Sequence, residues 1–300
     1  FRPEQAVEPL LKWANYPKPL AVYVAPDAPE ALNLLHQNNI ACFRTPESCA
    51  ESVKTFLNTK NPVKPIILKN DLSDISKKLE KNIFKNLSED EALEIFKDIG
   101  IEIVDYKVSS NEKQAIEYSS QIGFPLAMKV LSSEIMHKTE TGGVELNIKN
   151  LEEVKISFKK LSDVFQKLKI NSSEKKFIIQ KMEKGIAEII LGYRVDELVG
   201  PIVVIGSGGI LSEIYNDKSI RMAPVDITEA KKMIKEVKSL VTITGYRGLP
   251  EVDINIIATA IVNISKFALV KEIKEAEINP VIVKKNNEGI VAVDGLITLK

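Results

Sequence analysis

The chain has 300 residues, 44% of them hydrophobic, which is enough apolar material for two domains of ordinary size. Its 41 basic and 41 acidic residues cancel, which argues against a nucleic-acid-binding protein or one held on an anionic membrane surface. No apolar run is long enough to span a bilayer, and the first residues lack the order of a signal peptide, so we expect a cytoplasmic protein.

The beginning of the chain alternates between short apolar runs and helix-start signals. Runs at 18–26 and 40–45 predict strands, and helix starts follow them at Pro29 and Pro46. This β-α-β-α order is typical of a parallel sheet covered by helices, but the region is too short to complete such a domain. We therefore interpret residues 1–63 as the end of a larger α/β domain and the polar, lysine-rich segment 64–87 as a linker.

A second domain is predicted from residue 88 to the end. Ser88 and Glu91 form a capping box that begins a helix, which Gly100 can end. Further helices are predicted at 109–123, 150–168, 228–240 and 254–269. Strands are predicted at 101–108, 124–131, 176–182, 186–195, 200–208 and 210–215, and a closing hairpin turns at 286–289. Because strands and helices do not alternate strictly, we expect an α+β domain over 88–300.

Lys129 lies in the middle of the apolar strand PLAMKVL. A charged side chain on a buried strand needs a partner or a cleft, although a lysine on the solvent face of an edge strand is an equally good interpretation of the strand alone. The loop that follows contains Gly142 and Gly143. Consecutive glycines allow backbone amides to approach an anion, so strand and loop together resemble a phosphate clamp.

A second glycine cluster, which includes Gly208 and Gly209, follows the strand at 200–208. Such clusters mostly mark tight turns, but Glu213 and Arg221 come shortly after it. Arg221 is one of only five arginines in a lysine-rich chain, and its planar fork is suited to a phosphate. The alternative is a surface ion pair with Asp217.

The terminal hairpin has polar residues in two apolar runs, EINPVIV and IVAVD. Two-residue periodicity puts Glu277 and Asn279 on one face, and the turn could bring Asp294 opposite them. Amide and carboxylate oxygens suit Mg²⁺ in a nucleotide site. The alternative interpretation is a polar cross-strand pair.

Seven short motifs in residues 88–300 resemble, in chain order, those of the ADP-forming acyl-CoA synthetases, the acetate–CoA ligase family related to succinyl-CoA synthetase. They are GFPLAMKVLSSEIMHKTETGGV, IIQKMEKGIAEIILG, GPIVVIGSGGILSEIY, RMAP, GYRGLP, EINPVIV and AVDG. The resemblance implies an ATP-grasp domain over 88–300. The first residues resemble the end of the flavodoxin-like ligase-CoA domain that precedes the ATP-grasp domain in fused members.

The resemblance also implies a reaction, acyl-CoA + ADP + phosphate ⇌ carboxylate + ATP + CoA, that runs through an acyl phosphate and a phosphohistidine. Its cofactors would be ATP or ADP and Mg²⁺. In this sequence it implies phosphate contacts by Lys129, Gly142, Gly143, Gly208, Gly209 and Arg221, an adenine pocket at Gln180, Lys181 and Met182, nucleotide contacts by Glu188 and Glu213, and Mg²⁺ ligands in Asn279 and Asp294. Phosphoryl transfer needs this kind of positioning and charge neutralisation.

His137, in the stretch HKTETGGV, corresponds to a histidine that is a candidate second phosphate carrier in the family. A neutral imidazole nitrogen is a suitable nucleophile, and Lys138 and the glycine amides could stabilise the charged product. The alternative is a histidine that only hydrogen-bonds within its loop. A metal-binding role is not supported, because no second His or Cys stands at ligand spacing.

The sequence contains neither a CoA-binding domain nor a glycine-rich loop around its other histidine, His36. We therefore expect a partner domain or subunit that binds CoA, and an oligomer, because the family forms multi-subunit assemblies. Two other functions stay open: a regulatory or scaffolding ATP-grasp module of the kind fused to protein acetyltransferases, and an ATP-grasp ligase that joins a carboxylate to an amine.

Overall fold

The computed structural model describes residues 2–59, 72–80, 86–132, 141–167, 175–208, 217–248, 252–285 and 288–300. The chain divides into two compact units, Phe1–Pro65 and Ile66–Lys300. Each has its own hydrophobic core.

The first unit is a short β-α-β-α segment. Its elements are α1 (Pro3–Val7), β1 (Ala21–Tyr23), α2 (Pro29–Gln37), β2 (Ala41–Phe43) and α3 (Pro46–Asn58). β1 and β2 pair in parallel, which confirms the pairing predicted from the order of the elements. The core of the unit forms where the apolar face of α2, including Leu32 and Leu35, packs near Ile40 and Cys42.

The second unit begins with α4 (Ser73–Leu79), which lies inside the segment predicted as a linker. Ile75 and Leu79 of this helix are buried in the main core of the second unit. In this part of 64–87 the structure therefore has a packed helix, because the two apolar side chains lie one turn apart on one face. The wider division at 63/64 and 87/88 stays a prediction.

The remaining helices of the second unit are α5 (Glu89–Asp98), α6 (Glu112–Ile122), α7 (Leu151–Lys167), α8 (Ile227–Glu236) and α9 (Ile254–Ser265). The predicted capping box at the start of α5 is confirmed, with the Ser88 amide donating to Oε2 of Glu91 at 2.9 Å. Gly100 follows the end of α5 with φ of +84°, a conformation that glycine adopts without strain. The local chemistry of the sequence thus fixes both ends of this helix.

A smaller antiparallel sheet contains β3 (Tyr106–Ser109), β4 (Leu126–Leu131), β5 (Val144–Ile148) and β6 (Lys176–Lys181). The spatial order of its strands is β3-β6-β4-β5. Helices α6 and α7 pack on one face, where Met128 and Val130 lie in a buried cluster with Leu161 and Phe165. The other face is directed towards the rest of the unit.

A larger antiparallel sheet contains β7 (Ala187–Asp196), β8 (Gly200–Ser207), β9 (Lys218–Met222), β10 (Ile273–Val283), β11 (Ile290–Ala292) and β12 (Gly295–Leu299). Its order is β11-β10-β7-β8-β9, and β12 also pairs with β10. Helices α8 and α9 pack on each other and against β9 and β8, respectively, and α5 packs against β12. The α+β architecture predicted for this domain is confirmed.

The two sheets meet at the segment that precedes β3. The amide of Ala292 donates to the carbonyl of Glu102 at 2.8 Å, and the amide of Val104 donates to the carbonyl of Ala292 at 2.9 Å. β6 of the smaller sheet continues into β7 of the larger one through residues 182–186. The face of β4 that carries Lys129 lies beside the break between β11 and β12, at residues 293–294.

Gly295 lies where α5 approaches β12 most closely. A Cβ atom at this position would be 2.6 Å from Cε2 of Phe96, a fully buried ring. We expect Gly295→Ala to lower the free energy of unfolding by about 1–3 kcal/mol, because the ring has no room to retreat in a packed core. Urea denaturation followed by circular dichroism measures this change.

Gly192→Ala is the matched control, since a Cβ at Gly192 would meet nothing closer than Val204 Cβ at 3.8 Å. Its unfolding free energy should change by less than about 1 kcal/mol. Equal effects of the two substitutions would contradict the close-approach explanation.

Candidate active site at the junction of two sheets

The ammonium group of Lys129 is buried at the junction of the two sheets. All six residues of β4 are buried, and Lys129 is only 6% exposed. Its Nζ lies 2.7 Å from Oε1 of Glu89 and 2.9 Å from Oδ2 of Asp294, and it donates to the carbonyl of Val293 at 3.1 Å. Lys129 is therefore held in an ion cluster, and the alternative of an edge-strand lysine facing solvent is excluded.

The direction of the Lys129 side chain follows from the alternation of residues along β4. Met128 and Val130 point into the cluster under α6 and α7, so Lys129 points to the opposite face. Leu131 shares that face and lies in the main core with residues of the larger sheet. β4 thus places one charged side chain among the residues that join the two sheets.

Glu89 is the residue of this cluster that the sequence did not single out. It occupies the first turn of α5 and is 3% exposed, and its Oε1 accepts from both Lys129 and Nε2 of Gln180, the latter at 3.1 Å. A buried carboxylate is costly unless it is paired and hydrogen-bonded, and both conditions are met here. The only signal in the sequence was an acidic residue in a first helical turn, which is common for reasons unrelated to a site.

Two carboxylates control the protonation of Lys129. Burial by itself lowers the pKa of a lysine, but the charges of Glu89 and Asp294 outweigh burial, and the pKa of Lys129 lies above its usual value. The ammonium form is therefore the stable one at neutral pH. A permanently charged donor of this kind suits the recognition of phosphate.

The hairpin places the two predicted magnesium ligands side by side. The amide of Asn279 donates to the carbonyl of Asp294 at 3.3 Å, and Nδ2 of Asn279 donates to Oε1 of Glu277 at 3.2 Å. Asn279 is exposed and the Asp294 side chain is 38% exposed, so both reach solvent. Their amide and carboxylate oxygens are the donor types that Mg²⁺ takes, with the remaining positions left to phosphate oxygens and water.

No group of three or more His, Cys, Asp or Glu side chains suited to a metal ion occurs among the described residues. A divalent ion would thus depend on the ligands of a bound phosphate in addition to this pair.

The strand end at 180–182 lies next to the ion cluster. The side chain of Gln180 is 2% exposed and bound to Glu89, the amide of Lys181 donates to the carbonyl of Asp105 at 3.0 Å, and the amide of Met182 donates to the carbonyl of Pro125 at 3.0 Å. Gln180 therefore supports the cluster. The adenine-contacting role of the three residues stays a prediction.

Two of the predicted glycine positions, Gly142 and Gly208, have a geometry that favours glycine over any residue with a side chain. Gly142 has φ of +72°, in the left-handed region. Gly208 donates to the carbonyl of Glu188 at 2.7 Å, and a Cβ at Gly208 would be 2.9 Å from the carbonyl carbon of Glu188. The structure therefore brings Gly208 and Glu188 together, while the carbonyl of Gly143 is bound to the amide of Val130 at 2.9 Å.

The structure does not bring Arg221 to this cluster. Arg221 lies on β9, in register with Val203 and four strands away from β12, a lateral separation of about 19 Å at ordinary strand spacing. Its guanidinium binds Glu229 at 2.7 Å and also Glu236, both on α8. Its contact with phosphate stays a prediction.

The ion pairs of Arg221 also differ from the predicted alternative, an ion pair with Asp217. The hydrogen bonds from Arg221 lower the pKa of Glu236, and those from Lys232 and Arg221 lower the pKa of Glu229. Asp217 is not the partner of Arg221, because its carboxylate accepts from the amides of Lys238 and Ser239 at 3.1 and 2.7 Å.

Three predicted site residues, His137, Gly209 and Glu213, lie outside the described residues, as does the strand predicted at 210–215. A cavity of about 640 Å³ lies elsewhere, against the outer side of β3, and its lining includes Glu94, Tyr106 and Tyr118 but none of the predicted site residues. Among the described helices, none is long and apolar enough to cross a membrane.

Comparison with known proteins agrees with this geometry. A family described as an ATP-grasp domain matches residues 78–299. The beta subunit of ADP-forming acetate–CoA ligase I from Pyrococcus furiosus is 38% identical over 214 residues, which cover 71% of this chain and 91% of that subunit. This chain belongs to the ATP-grasp part of the ADP-forming acyl-CoA synthetases.

Solved structures of this synthetase family share the fold. An acetyl-CoA synthetase from Ca. Korarchaeum cryptofilum, in complex with coenzyme A and Ca-AMPCP, is 32% identical with a TM-score of 0.69, and the alignment covers 77% of this chain and all of that one. A second structure of that enzyme contains coenzyme A and Mg-AMPPCP and has its phosphohistidine segment pointing towards the nucleotide-binding site; its TM-score is 0.63 at 32% identity, over 76% of this chain and 99% of that one.

Other relatives are longer than this chain. The ADP-forming acetate–CoA ligase of Methanocaldococcus jannaschii is 31% identical over 278 residues, which cover 86% of this chain but only 39% of that enzyme. The chain thus spans nearly the whole length of the beta subunit from Pyrococcus furiosus, yet less than half the length of the relative from Methanocaldococcus jannaschii.

Breaking the ion pair between Lys129 and Glu89 should lower the free energy of unfolding by a measurable amount. We expect Lys129→Met to lower the free energy of unfolding by about 3–5 kcal/mol, because it leaves the Glu89 carboxylate buried without its cation. In the same background Glu89→Gln should restore at least half of the loss, since it removes the buried charge. Urea unfolding curves of the wild type and the two variants measure both effects, and a double variant no more stable than Lys129→Met would contradict the buried-charge explanation.

Proposed function

We propose that this chain binds ATP or ADP with Mg²⁺ and performs the nucleotide side of acyl-CoA + ADP + phosphate ⇌ carboxylate + ATP + CoA. The observation that carries the proposal is the buried Lys129 ammonium, held at a sheet junction beside a carboxylate that still reaches solvent. A lysine and an acidic residue at one point supply a fixed cation for phosphate oxygens and a ligand for a divalent ion.

In this proposal the protein positions phosphates and does little covalent chemistry. Lys129 donates to the nucleotide phosphates, and Asn279 and Asp294 hold the metal. Mg²⁺, when bound, neutralises the charge that develops on the transferred phosphoryl group. Gln180 and Glu89 keep Lys129 in place, because both are buried and hydrogen-bonded to each other.

The remaining contacts are proposed from the family resemblance. They are Lys181 and Met182 with Gln180 at the adenine, Glu188 and Glu213 at the nucleotide, and Gly142, Gly143, Gly208, Gly209 and Arg221 at phosphate. The pairing of Gly208 with Glu188 supports a shared role for these two residues. Arg221 would have to exchange at least one of its two glutamates for phosphate.

We also propose His137 as the residue that carries the phosphoryl group between sites. Support comes from the neighbouring elements, because His137 belongs to the connection between β4, which carries Lys129, and β5. A relative's structure has a phosphohistidine segment pointing towards its nucleotide-binding site, which supports phosphoryl transfer through a histidine at that site in the family. The attack forms an N–P bond from a neutral imidazole nitrogen, and ADP leaves.

The complete reaction needs a CoA-binding domain or subunit. The relative from Pyrococcus furiosus is named as a beta subunit, and the relative from Methanocaldococcus jannaschii is more than twice as long as its matched part. We propose that this chain works in an oligomer or a longer protein of that kind, in the cytoplasm.

A thermal melt of the chain with and without Mg-ATP tests nucleotide binding. Ligand at about 100 times its dissociation constant stabilises the folded state by about 2.7 kcal/mol. For a domain of this size each kcal/mol raises the midpoint by about 2–4 °C, so we expect a rise of about 5–10 °C. Lys129→Ala should lose most of this rise, and Asp294→Ala should lose about half of it or more.

The matched control is Lys107→Ala on β3, which lies in the same sheet as β4 but is separated from it by β6. The Nζ of Lys107 lies 5.3 Å from the centre of the Tyr118 ring, and no contact joins it to the ion cluster among the described residues. It should keep the full ligand-dependent rise. A well-folded wild-type chain without any rise, or a Lys107→Ala variant that loses as much as Lys129→Ala, would contradict a nucleotide site at Lys129.

Phosphate transfer to His137 is tested by incubating the chain with γ-³²P-ATP and Mg²⁺. We expect an acid-labile, base-stable label, because phosphate on an imidazole nitrogen has that stability, and we expect His137→Ala to abolish it. His36→Ala is the control, since His36 is the other histidine and lies on α2 of the first unit. A label that survives in His137→Ala would exclude His137 as the carrier.

A further inference from the structure

The donors of Lys129 are fully used in the described geometry. A lysine ammonium has three N–H groups, and the structure gives them three acceptors: Oε1 of Glu89, Oδ2 of Asp294 and the carbonyl of Val293. A phosphate oxygen can therefore bind Lys129 only by replacing one of these acceptors.

The two carboxylates differ in how easily they can be replaced. The Glu89 side chain is 1% exposed and is fixed by a second hydrogen bond from Gln180. The Asp294 side chain is 38% exposed and lies at the break between β11 and β12; its Oδ1 accepts from the amide of Gly295, the next residue in the chain, at 2.8 Å, while its Oδ2 binds Lys129. Asp294 is thus the partner that Lys129 can give up, and Glu89 is the one that it keeps.

Charge favours the same exchange. One ammonium and two carboxylates leave the cluster with an excess of negative charge, which opposes a phosphate. If Asp294 turns to a divalent cation, Lys129 and Glu89 form a neutral pair, and the third N–H of Lys129 is released for a phosphate oxygen. The metal would then remove Asp294 from Lys129, which frees an N–H for the phosphate. The phosphate would remove Lys129 from Asp294, which frees the carboxylate for the metal.

We infer that Lys129 exchanges partners when nucleotide binds: it leaves Asp294 for phosphate, while Glu89 acts as the positioning residue that holds it throughout. The inference rests on the proposed function and deepens it. It makes metal and nucleotide binding cooperative through a single shared carboxylate, and reciprocity of the coupling follows by thermodynamic linkage.

Isothermal titration of the full chain with ADP, once in EDTA and once in excess Mg²⁺, tests the exchange. Asp294→Ala should bind ADP about ten-fold more tightly than wild type in EDTA, because a competitor for a charged hydrogen bond is gone. In Mg²⁺ the same variant should bind about ten-fold more weakly, because a metal ligand is gone. This reversal of sign distinguishes the exchange from general destabilisation.

Glu277→Ala in EDTA is the matched control, since it removes a carboxylate from the same hairpin that does not contact Lys129. Its affinity for ADP should stay within about three-fold of wild type, because only a long-range charge effect is lost. Equal tightening by Glu277→Ala and Asp294→Ala would overturn the exchange in favour of a non-specific charge effect.

Glu89→Gln should weaken ADP binding about ten-fold in both conditions, and Glu89→Asp should recover part of the loss, because a carboxylate again faces Lys129. Because Asp294 reaches solvent, Asp294→Ala is expected to fold, and its reversal of sign is decisive even if Glu89→Gln does not fold. Weaker binding of ADP by Asp294→Ala in EDTA would overturn the partner exchange but leave the proposed function in place. A wild-type chain that binds no ADP in either condition would overturn the proposed function and the inference with it.

Discussion

The interaction on which the second unit depends is the buried ion pair between Lys129 and Glu89. An ammonium in the middle of a fully buried strand is tolerated only because a carboxylate meets it at hydrogen-bond distance. Lys129 comes from β4, its partner Glu89 comes from α5, and its second carboxylate, Asp294, comes from the break after β11. These segments are far apart in the sequence. The ion cluster therefore requires the smaller sheet, the larger sheet and α5 to be packed in one arrangement.

Buried pairs of this kind are weak evidence for stability, because desolvation offsets most of their attraction. What Lys129, Glu89 and Asp294 provide is a fixed position for charge. Gln180 adds a neutral hydrogen bond that holds Glu89 from the strand next to β4. A site for phosphoryl transfer needs charges in fixed positions more than it needs extra stability, so the arrangement suits the proposed function.

Close backbone approach supports the same junction. The absence of a side chain at Gly295 allows the Phe96 ring to pack directly against the residue that follows Asp294. Gly208 similarly allows the end of β8 to contact the backbone of Glu188 on β7. Both glycines lie beside proposed ligand-binding residues, so they determine how near the neighbouring elements come to the site.

Arg221 shows a different use of charge. Its guanidinium joins the edge strand β9 to α8 through two glutamates, at the far side of the larger sheet from Asp294. The rarity of arginine in the sequence suggested a phosphate ligand, whereas the described contacts are those of a link between a strand and a helix. Both uses depend on the same planar fork of donors, so residue type alone does not separate them.

The sequence by itself determined the features that arise from local chemistry. The ends of α5 follow from Ser88, Glu91 and Gly100, and the shared face of Glu277 and Asn279 follows from the two-residue period of a strand. The motifs around Lys129 and Asp294 identified the family and the class of fold. These features depend on neighbours within a few residues, or on a resemblance carried by short segments.

Only the tertiary structure decided which charges meet. Glu89 looks like any acidic residue in a first helical turn, and nothing within its neighbourhood in the chain reveals that Lys129, 40 residues away, is its partner. The strand β9 was not predicted, because Lys218–Met222 has polar residues where a buried strand has apolar ones. Long-range ion pairs and edge strands are fixed by how sheets and helices pack together, and a local pattern of residues does not contain that information.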